Sequence, residues 1–268
     1  MLGAMREARP SERDVGPDAT ASLPAFDPAW AVFLDVDGTL LEFGERPAAV
    51  TIRPGLLTTL DVLRRRIPLA LISGRAISDL DRLFAPLRLP AAGQHGAERR
   101  SRGGRIHTAN VPGAGLAGAR RRLAAWARAY PRIALEDKGL SLAMHYRGAP
   151  ELAAEARRAA HDELARLGGD YVLGVGQMVV EIRPKGWDKG RAVMEFMGEP
   201  PFAGRVPVVV GDDVTDEDGF AAANRLGGQS IKVGAGATVA RWRLAGVTQV
   251  LAWLDRYARW LEPPPAGG

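Results

Sequence analysis

Two acidic clusters hold the residues of this chain best suited to chemistry: Asp35-Val36-Asp37-Gly38-Thr39 and Gly211-Asp212-Asp213-Val214-Thr215-Asp216-Glu217. Each directly follows a short apolar run, at 31–34 and 206–210. Such runs, bounded by turn residues, read as buried strands of a parallel sheet. In open α/β sheets the ligand crevice lies just beyond the carboxyl ends of the strands, so both clusters are expected at one edge. Carboxylates gathered there repel one another unless a hard divalent cation lies between them, and Mg²⁺ suits such an oxygen set. Two acidic surface turns are the plainer alternative.

The elements that would position these clusters follow from the apolar pattern. After the strand at 31–34 the spacing predicts a helix over 55–65, a strand at 69–72, a helix over 76–84 and a strand at 89–92. This β-α-β-α-β alternation argues for a doubly wound parallel sheet. Residues 99–110 read as a polar hairpin or excursion. The rhythm then changes to helix 115–130, strands 133–138 and 140–147, helix 150–167 and strands 171–175 and 178–183. Antiparallel hairpins of that kind do not belong in a parallel sheet. They read as an inserted smaller α/β cap domain over 111–183, within a core made of 29–110 and 184–262. The parallel rhythm resumes with helix 189–197, strand 206–210, a helix running into 221–224, strand 230–233 and a helix over 250–261. Junctions near 110–115 and 183–186 contain Pro and Gly and are expected to act as hinges.

Composition narrows the classes. With 268 residues, 46% of them hydrophobic, the chain is expected to be globular and large enough for one or two domains. It has no cysteine, which excludes disulfides and thiolate metal sites. No apolar stretch reaches the roughly 20 residues that span a bilayer, and 1–28 lacks a signal-like hydrophobic segment. Residues 1–28 and 263–268 read as mobile tails. A cytoplasmic monomer with no membrane partner is expected. The net charge of +5 is spread along the chain, apart from short clusters such as Arg64-Arg65-Arg66 and Arg120-Arg121-Arg122 in helical segments. No nucleic-acid partner is therefore expected. Lysine occurs only at Lys138, Lys185, Lys189 and Lys232, which draws attention to each ammonium.

Strand alternation sorts the inserted block into two faces. Leu140, Leu142, Met144 and Tyr146 share one side, with Met178, Val180 and Ile182; Ser141, Ala143, His145 and Arg147 share the other, with Val179, Glu181 and Arg183. Glu136 and Lys138 alternate with Leu135. The polar face is either solvated, as antiparallel sheets often are, or a lid that binds a polyhydroxylated ligand over the carboxylates.

Four motifs in register resemble the haloacid dehalogenase superfamily of phosphohydrolases: Asp35–Thr39, Ser73 at a strand end, Lys189 at a helix start, and Asp212-Asp213. Within it, residues 30–260 resemble the trehalose-6-phosphate phosphatase family. The resemblance rests on Ser73-Gly74-Arg75, Gln94-His95-Gly96-Ala97-Glu98, Glu136-Asp137-Lys138-Gly139, His145-Tyr146-Arg147, Val180-Glu181-Ile182-Arg183-Pro184 and the second acidic cluster. Trp187, before Asp188-Lys189, departs from the smaller aliphatic residue expected there.

The resemblance implies a Mg²⁺-dependent phosphatase that converts trehalose 6-phosphate to trehalose and phosphate through an aspartyl-phosphate. It implies Asp35 as nucleophile and Asp37 as proton donor and acceptor. The metal would be held by Asp35, the backbone carbonyl of Asp37, and Asp212, with Asp213 and Asp216 orienting ligands and waters. Ser73 and Lys189 would hold the phosphoryl oxygens. For Ser73 a helix N-cap is the alternative role, and for Lys189 a solvent lysine. Thr39 is expected to shape its loop, and His95 to be a hydrogen-bonded strand-end residue rather than an acid or base. Arg75 is expected to pair with a carboxylate within reach of ligand. Glu136, Lys138, His145, Arg147, Glu181 and Arg183 are the candidate sugar contacts. Other sugar phosphates, sucrose-6-phosphate or mannosyl-3-phosphoglycerate, are alternative substrates. A non-enzymatic receiver-type switch would need neither Asp37 nor the inserted block.

Overall fold

The computed structural model describes residues 23–42 and 52–262. Strand β1 (Trp30–Leu34) is buried along its whole length, as its unbroken apolar sequence requires. Helix α1 (Leu56–Arg66), β2 (Leu69–Ile72), α2 (Ile77–Leu83) and β3 (Ala91–Gly93) follow in parallel α/β order. The hairpin β4 (Glu98–Arg100) and β5 (Ile106–Thr108) adds antiparallel strands to the same sheet. After an intervening block, α5 (Lys189–Met197), β10 (Val206–Gly211), α6 (Glu217–Arg225), β11 (Gln229–Val233), β12 (Trp242–Leu244) and α7 (Val247–Leu261) complete it. The eight strands lie in the order β12-β11-β10-β1-β2-β3-β4-β5.

Period-two alternation divides the core between two layers. Val32 and Leu34 face α1, α2 and α7, whereas Ala31 and Phe33 face α5 and α6. Phe33 packs against Phe196 and Phe202 with ring centroids 5.8 and 5.5 Å away. Burying each such ring stabilises the fold by about 1.5–3 kcal/mol.

The intervening block forms a separate four-stranded antiparallel sheet from β6 (Ala134–Asp137), β7 (Leu142–His145), β8 (Tyr171–Gly176) and β9 (Val179–Pro184), in the order β6-β7-β9-β8. Its apolar face, Leu142, Met144, Val180 and Ile182, packs on α3 (Gly113–Ala127) and α4 (Ala153–Leu167) through Leu116, Leu123, Ala156 and Ala160.

Three sequence expectations need correction. Of the tail expected over 1–28, residues 1–22 lie outside the described residues, as do 263–268. Residues 23–28 are packed on the core: Phe26 stacks on Tyr257 with centroids 4.8 Å apart, and Tyr257 Oη donates to the Asp27 carbonyl at 2.6 Å. Of the two readings of 99–110 the hairpin holds and the excursion does not, since β4 and β5 form the edge of the main sheet. Its buried guanidiniums are neutralised there, Arg100 by both oxygens of Asp81 at 2.7 and 2.6 Å and Arg99 by Glu195 and Glu199 at 3.1 and 2.5 Å. Strand β12 was not expected, because three residues with Arg243 in the middle carry no usable period.

Candidate active site

The sheet order explains why the two acidic clusters meet. The chain runs outward from β1 through β2 to β3, then returns to lay β10 on the other side of β1, so the strand order reverses between β1 and β10. Ligand crevices form at such a switch point. Leu34 pairs with Val210, and the Asp35 N–H donates to the Val210 carbonyl at 3.0 Å, so Asp35 and Asp212 leave neighbouring strands almost level. Ser73 leaves β2 on the other flank, its N–H held by the Ala92 carbonyl at 2.9 Å. Lys189 is the first residue of α5, a helix capped by Asp188, whose carboxylate accepts the Arg191 N–H at 2.7 Å. The cap fixes the helix start and thereby the direction in which the lysine leaves it.

Lys189 Nζ donates to Asp35 Oδ1 and to Asp216 Oδ1, both at 2.7 Å. It is 4% exposed, which dismisses a solvent lysine. Burial works against its charge, yet Asp216 and Asp35 overcome that and hold its pKa above the usual lysine value. Asp35 is itself pushed up, by burial first and then by Asp216 and Asp212, although Lys189 opposes the shift. Lys189 therefore bonds two of three clustered carboxylates, Asp35, Asp212 and Asp216, whose oxygens come within 4.8 Å of one another.

Asp212 is pushed up to about 6, mainly by burial and then by Asp216. A cluster this short of positive charge, made only of oxygens, fits a hard divalent cation. The loop geometry agrees: Gly38 has φ +80°, and a Cβ there would stand 2.2 Å from Asp212 Oδ2, so only glycine lets the first cluster approach the second so closely. Asp216 is better suited to orienting than to ligation. One of its oxygens holds Lys189 and the other accepts the Asp213 N–H at 3.0 Å, in a capping box that shapes the acidic turn. Lys232 Nζ donates to the Asp212 backbone carbonyl and props the same turn. Thr39 Oγ1 lies 3.2 Å from Asp212 Oδ1 and 3.4 Å from Asp35 Oδ2, bridging the clusters as a loop-shaping residue would.

Asp37 is held by Arg75 in a two-pronged pair, Nε to Oδ2 at 2.7 Å and Nη2 to Oδ1 at 2.6 Å. Ser73 Oγ accepts the Arg75 N–H at 3.1 Å. Ser73 does not cap α2, whose cap position is Ala76; the Ile77 N–H goes instead to Glu98 Oε1 at 2.7 Å.

The polar face of the smaller sheet closes over these groups. A cavity of about 210 Å³ is lined below by Asp35, Asp37, Ser73, Arg75 and Lys189, and above by Glu136, Lys138, His145, Arg147 and Glu181, with Asp213 at its margin. Glu136 Oε2 lies 2.7 Å from His145 Nε2. Burial raises the Glu136 pKa, but His145 and Lys138 outweigh it and leave the group below its usual range. Glu181, 6% exposed, is held far below the usual carboxylate range: burial opposes ionisation, and Lys138, His95 and Ser141 overcome it. Lys138 Nζ reaches both Glu181 Oε1 at 3.0 Å and the Gly74 carbonyl of the larger sheet at 2.9 Å.

Arg183 is not brought into this cleft. Its Nη1 donates to the Trp187 carbonyl at 2.5 Å, beyond the end of β9. Trp187, the departure noted above, also lies outside the lining and stacks under the Arg191 guanidinium at 3.7 Å. His95 was set aside as a strand-end residue, and its Nε2 does bond Glu181 Oε2 at 3.0 Å. Burial pushes its pKa down, with Glu181 opposing only in part; a neutral ring protonated on Nε2 would donate to Glu181. Gln177 also lines the cleft and carried no sequence signal, whereas Gly74 and Thr215, which line it too, lie inside the motifs above without having been given a role.

Residues 33–247 match the family model for trehalose-phosphatase. The chain is 44% identical to the trehalose-6-phosphate phosphatase of Escherichia coli K12 across 87% of its own length and 88% of that protein. A crystal structure of a trehalose-6-phosphate phosphatase related protein superposes with a TM-score of 0.74 at 26% identity, covering 86% of this chain and 97% of that one. A Bacteroides thetaiotaomicron phosphatase of the haloalkanoate (HAD) superfamily shares the fold, with a TM-score of 0.58 at 18% identity over 89% of this chain and 99% of its own. The β1–β10 switch point, its paired acidic clusters and these similarities converge: the chain belongs to the trehalose-phosphatase family.

Proposed function

We propose that this protein hydrolyses trehalose 6-phosphate to trehalose and phosphate, with Mg²⁺ as its cation and the four-stranded unit, residues 111–183, as a cap that recognises the sugar. The observation that carries the reading is a single cleft with carboxylates, a serine and a lysine on its floor and Glu136, Lys138, His145, Arg147 and Glu181 on its roof. A phosphoryl group needs the floor, and a sugar dense in hydroxyls suits the roof. A cytoplasmic location accords with a cysteine-free chain. Among the described residues no helix is long and apolar enough to cross a membrane.

In this reading Asp35 attacks phosphorus, and the bond to the sugar oxygen breaks as Asp37 gives that oxygen a proton. Water then attacks the aspartyl-phosphate, Asp37 takes a proton from it, and Asp35 departs as carboxylate. Both oxygens of Asp37 are engaged by Arg75. The anionic substrate competes for that guanidinium, and the exchange frees Asp37 to carry the proton. Ser73 donates to a phosphoryl oxygen, and Lys189 fixes Asp35 while countering the phosphoryl charge. Asp35, the Asp37 carbonyl and Asp212 would hold Mg²⁺, which would supply positive charge between nucleophile and phosphate. Asp213 and Asp216 hold the acidic turn in place beneath it.

Recognition by the roof is separable from chemistry on the floor. A buried charge-assisted hydrogen bond contributes about 1.5–3 kcal/mol, so Glu181→Gln and Lys138→Met should each lower kcat/KM on trehalose 6-phosphate by roughly 10- to 100-fold. p-Nitrophenyl phosphate, too small to reach the roof, should lose less than about threefold. Kinetics of both variants on both substrates check this. Equal losses would mean that the roof is a solvated face with no part in sugar recognition.

A further inference from the structure

Gln94 belongs to no step of the chemistry, yet it joins the two sheets from a costly backbone. Gln94 and His95 have φ of 49° and 57°, consecutive left-handed conformations that side-chain-bearing residues seldom adopt. The turn buries the Gln94 amide against the smaller sheet, where its Oε1 accepts the Leu140 N–H at 3.2 Å and lies 3.1 Å from Ser141 Oγ. Its Nε2 donates to Glu98 Oε1 at 3.1 Å. These neighbours fix the amide's orientation. Turned over, it would set its oxygen against the Glu98 carboxylate and its NH₂ against the Leu140 N–H.

Ser141 is fully buried and has one hydroxyl proton with two acceptors: Gln94 Oε1 at 3.1 Å and Glu181 Oε1 at 2.8 Å. The shorter contact, to a charged group, takes the proton. Glu181 then has three donors, Ser141, Lys138 and His95. A sugar hydroxyl donating to Glu181 must compete with them. Of the three, Lys138 already gives another proton to the Gly74 carbonyl at 2.9 Å and His95 Nε2 meets Glu181 alone among the described residues, whereas Ser141 can rotate its single proton onto Gln94.

We infer that Gln94 is a positioning residue for sugar recognition: it seats the smaller unit through Leu140, and it receives the Ser141 proton when a sugar hydroxyl takes that proton's place on Glu181. This rests on Glu181 being a sugar contact, as proposed above.

The test compares Gln94→Met, Ser141→Ala, their double variant and Glu181→Gln in the full-length protein with Mg²⁺, on trehalose 6-phosphate and p-nitrophenyl phosphate. Gln94→Met and Ser141→Ala should each lower kcat/KM on the sugar phosphate by about three- to tenfold. The double variant should lose no more than the larger single loss, since the two act as one unit. Turnover of the aryl phosphate should stay within about twofold in all three, a split that a merely structural role would not produce. Should Gln94→Met fail to fold, Ser141→Ala decides by the same split. Additive losses, equal losses on both substrates, or a selective loss in Glu181→Gln alone would overturn the inference and leave the phosphatase reading standing. Absence of a selective loss in Glu181→Gln would remove Glu181 as a sugar contact and the inference with it.

Discussion

Asp35→Asn is expected to reduce phosphate release by on the order of 10³-fold or more while leaving the protein folded. Asparagine keeps the size of the side chain and an oxygen for Lys189 to bond, but it cannot attack phosphorus as an anion. The fold should survive because Lys189 keeps Asp216 as a charged partner at 2.7 Å. The substitution also removes one of the three carboxylates clustered at this edge, two of which share Lys189. Thermal unfolding beside steady-state kinetics checks both halves. A folded variant that retains turnover within tenfold of the parent would refute Asp35 as nucleophile.

Removal of the cation should be nearly as damaging, and reversible. With Asp212 pushed up to about 6 by burial and by Asp216, the acidic turn lacks the positive charge its geometry calls for. EDTA should therefore abolish activity, and excess Mg²⁺ should restore it. Chelation should leave the sheet intact, because the strands beneath are held by backbone bonds and a buried apolar core. Full activity in metal-free buffer would contradict the assignment of Asp35 and Asp212 as cation ligands.

The parts legible in the sequence are those where one local pattern decides. Strand β2 and helix α5 have the expected bounds because an unbroken apolar run and a capped amphipathic helix each leave no competing structure. The polar roof was legible because alternation sends Glu136, His145 and Glu181 to the face opposite Leu142, Met144 and Ile182. Arg183 shares that alternation but lies where β9 ends, and a backbone carbonyl four residues on captures it. The cross-sheet partners of Gln94, Ser141 and His95 were illegible for another reason. They lie up to 86 residues away in sequence, and the contacts depend on a left-handed turn at Gln94 and His95 that neither side chain announces. Likewise, nothing local in 99–110 announces that Arg99 and Arg100 are buried, because the carboxylates that neutralise them come from α2 (Asp81), α5 (Glu195) and the turn after α5 (Glu199).

The most direct measurement is phosphate release with Mg²⁺ across trehalose 6-phosphate, sucrose-6-phosphate, mannosyl-3-phosphoglycerate and glucose 6-phosphate. If the roof recognises trehalose, trehalose 6-phosphate should have the highest kcat/KM by at least about tenfold, the equivalent of one buried hydrogen bond to a charged group. Comparable or faster hydrolysis of any other sugar phosphate in the panel would contradict the assignment.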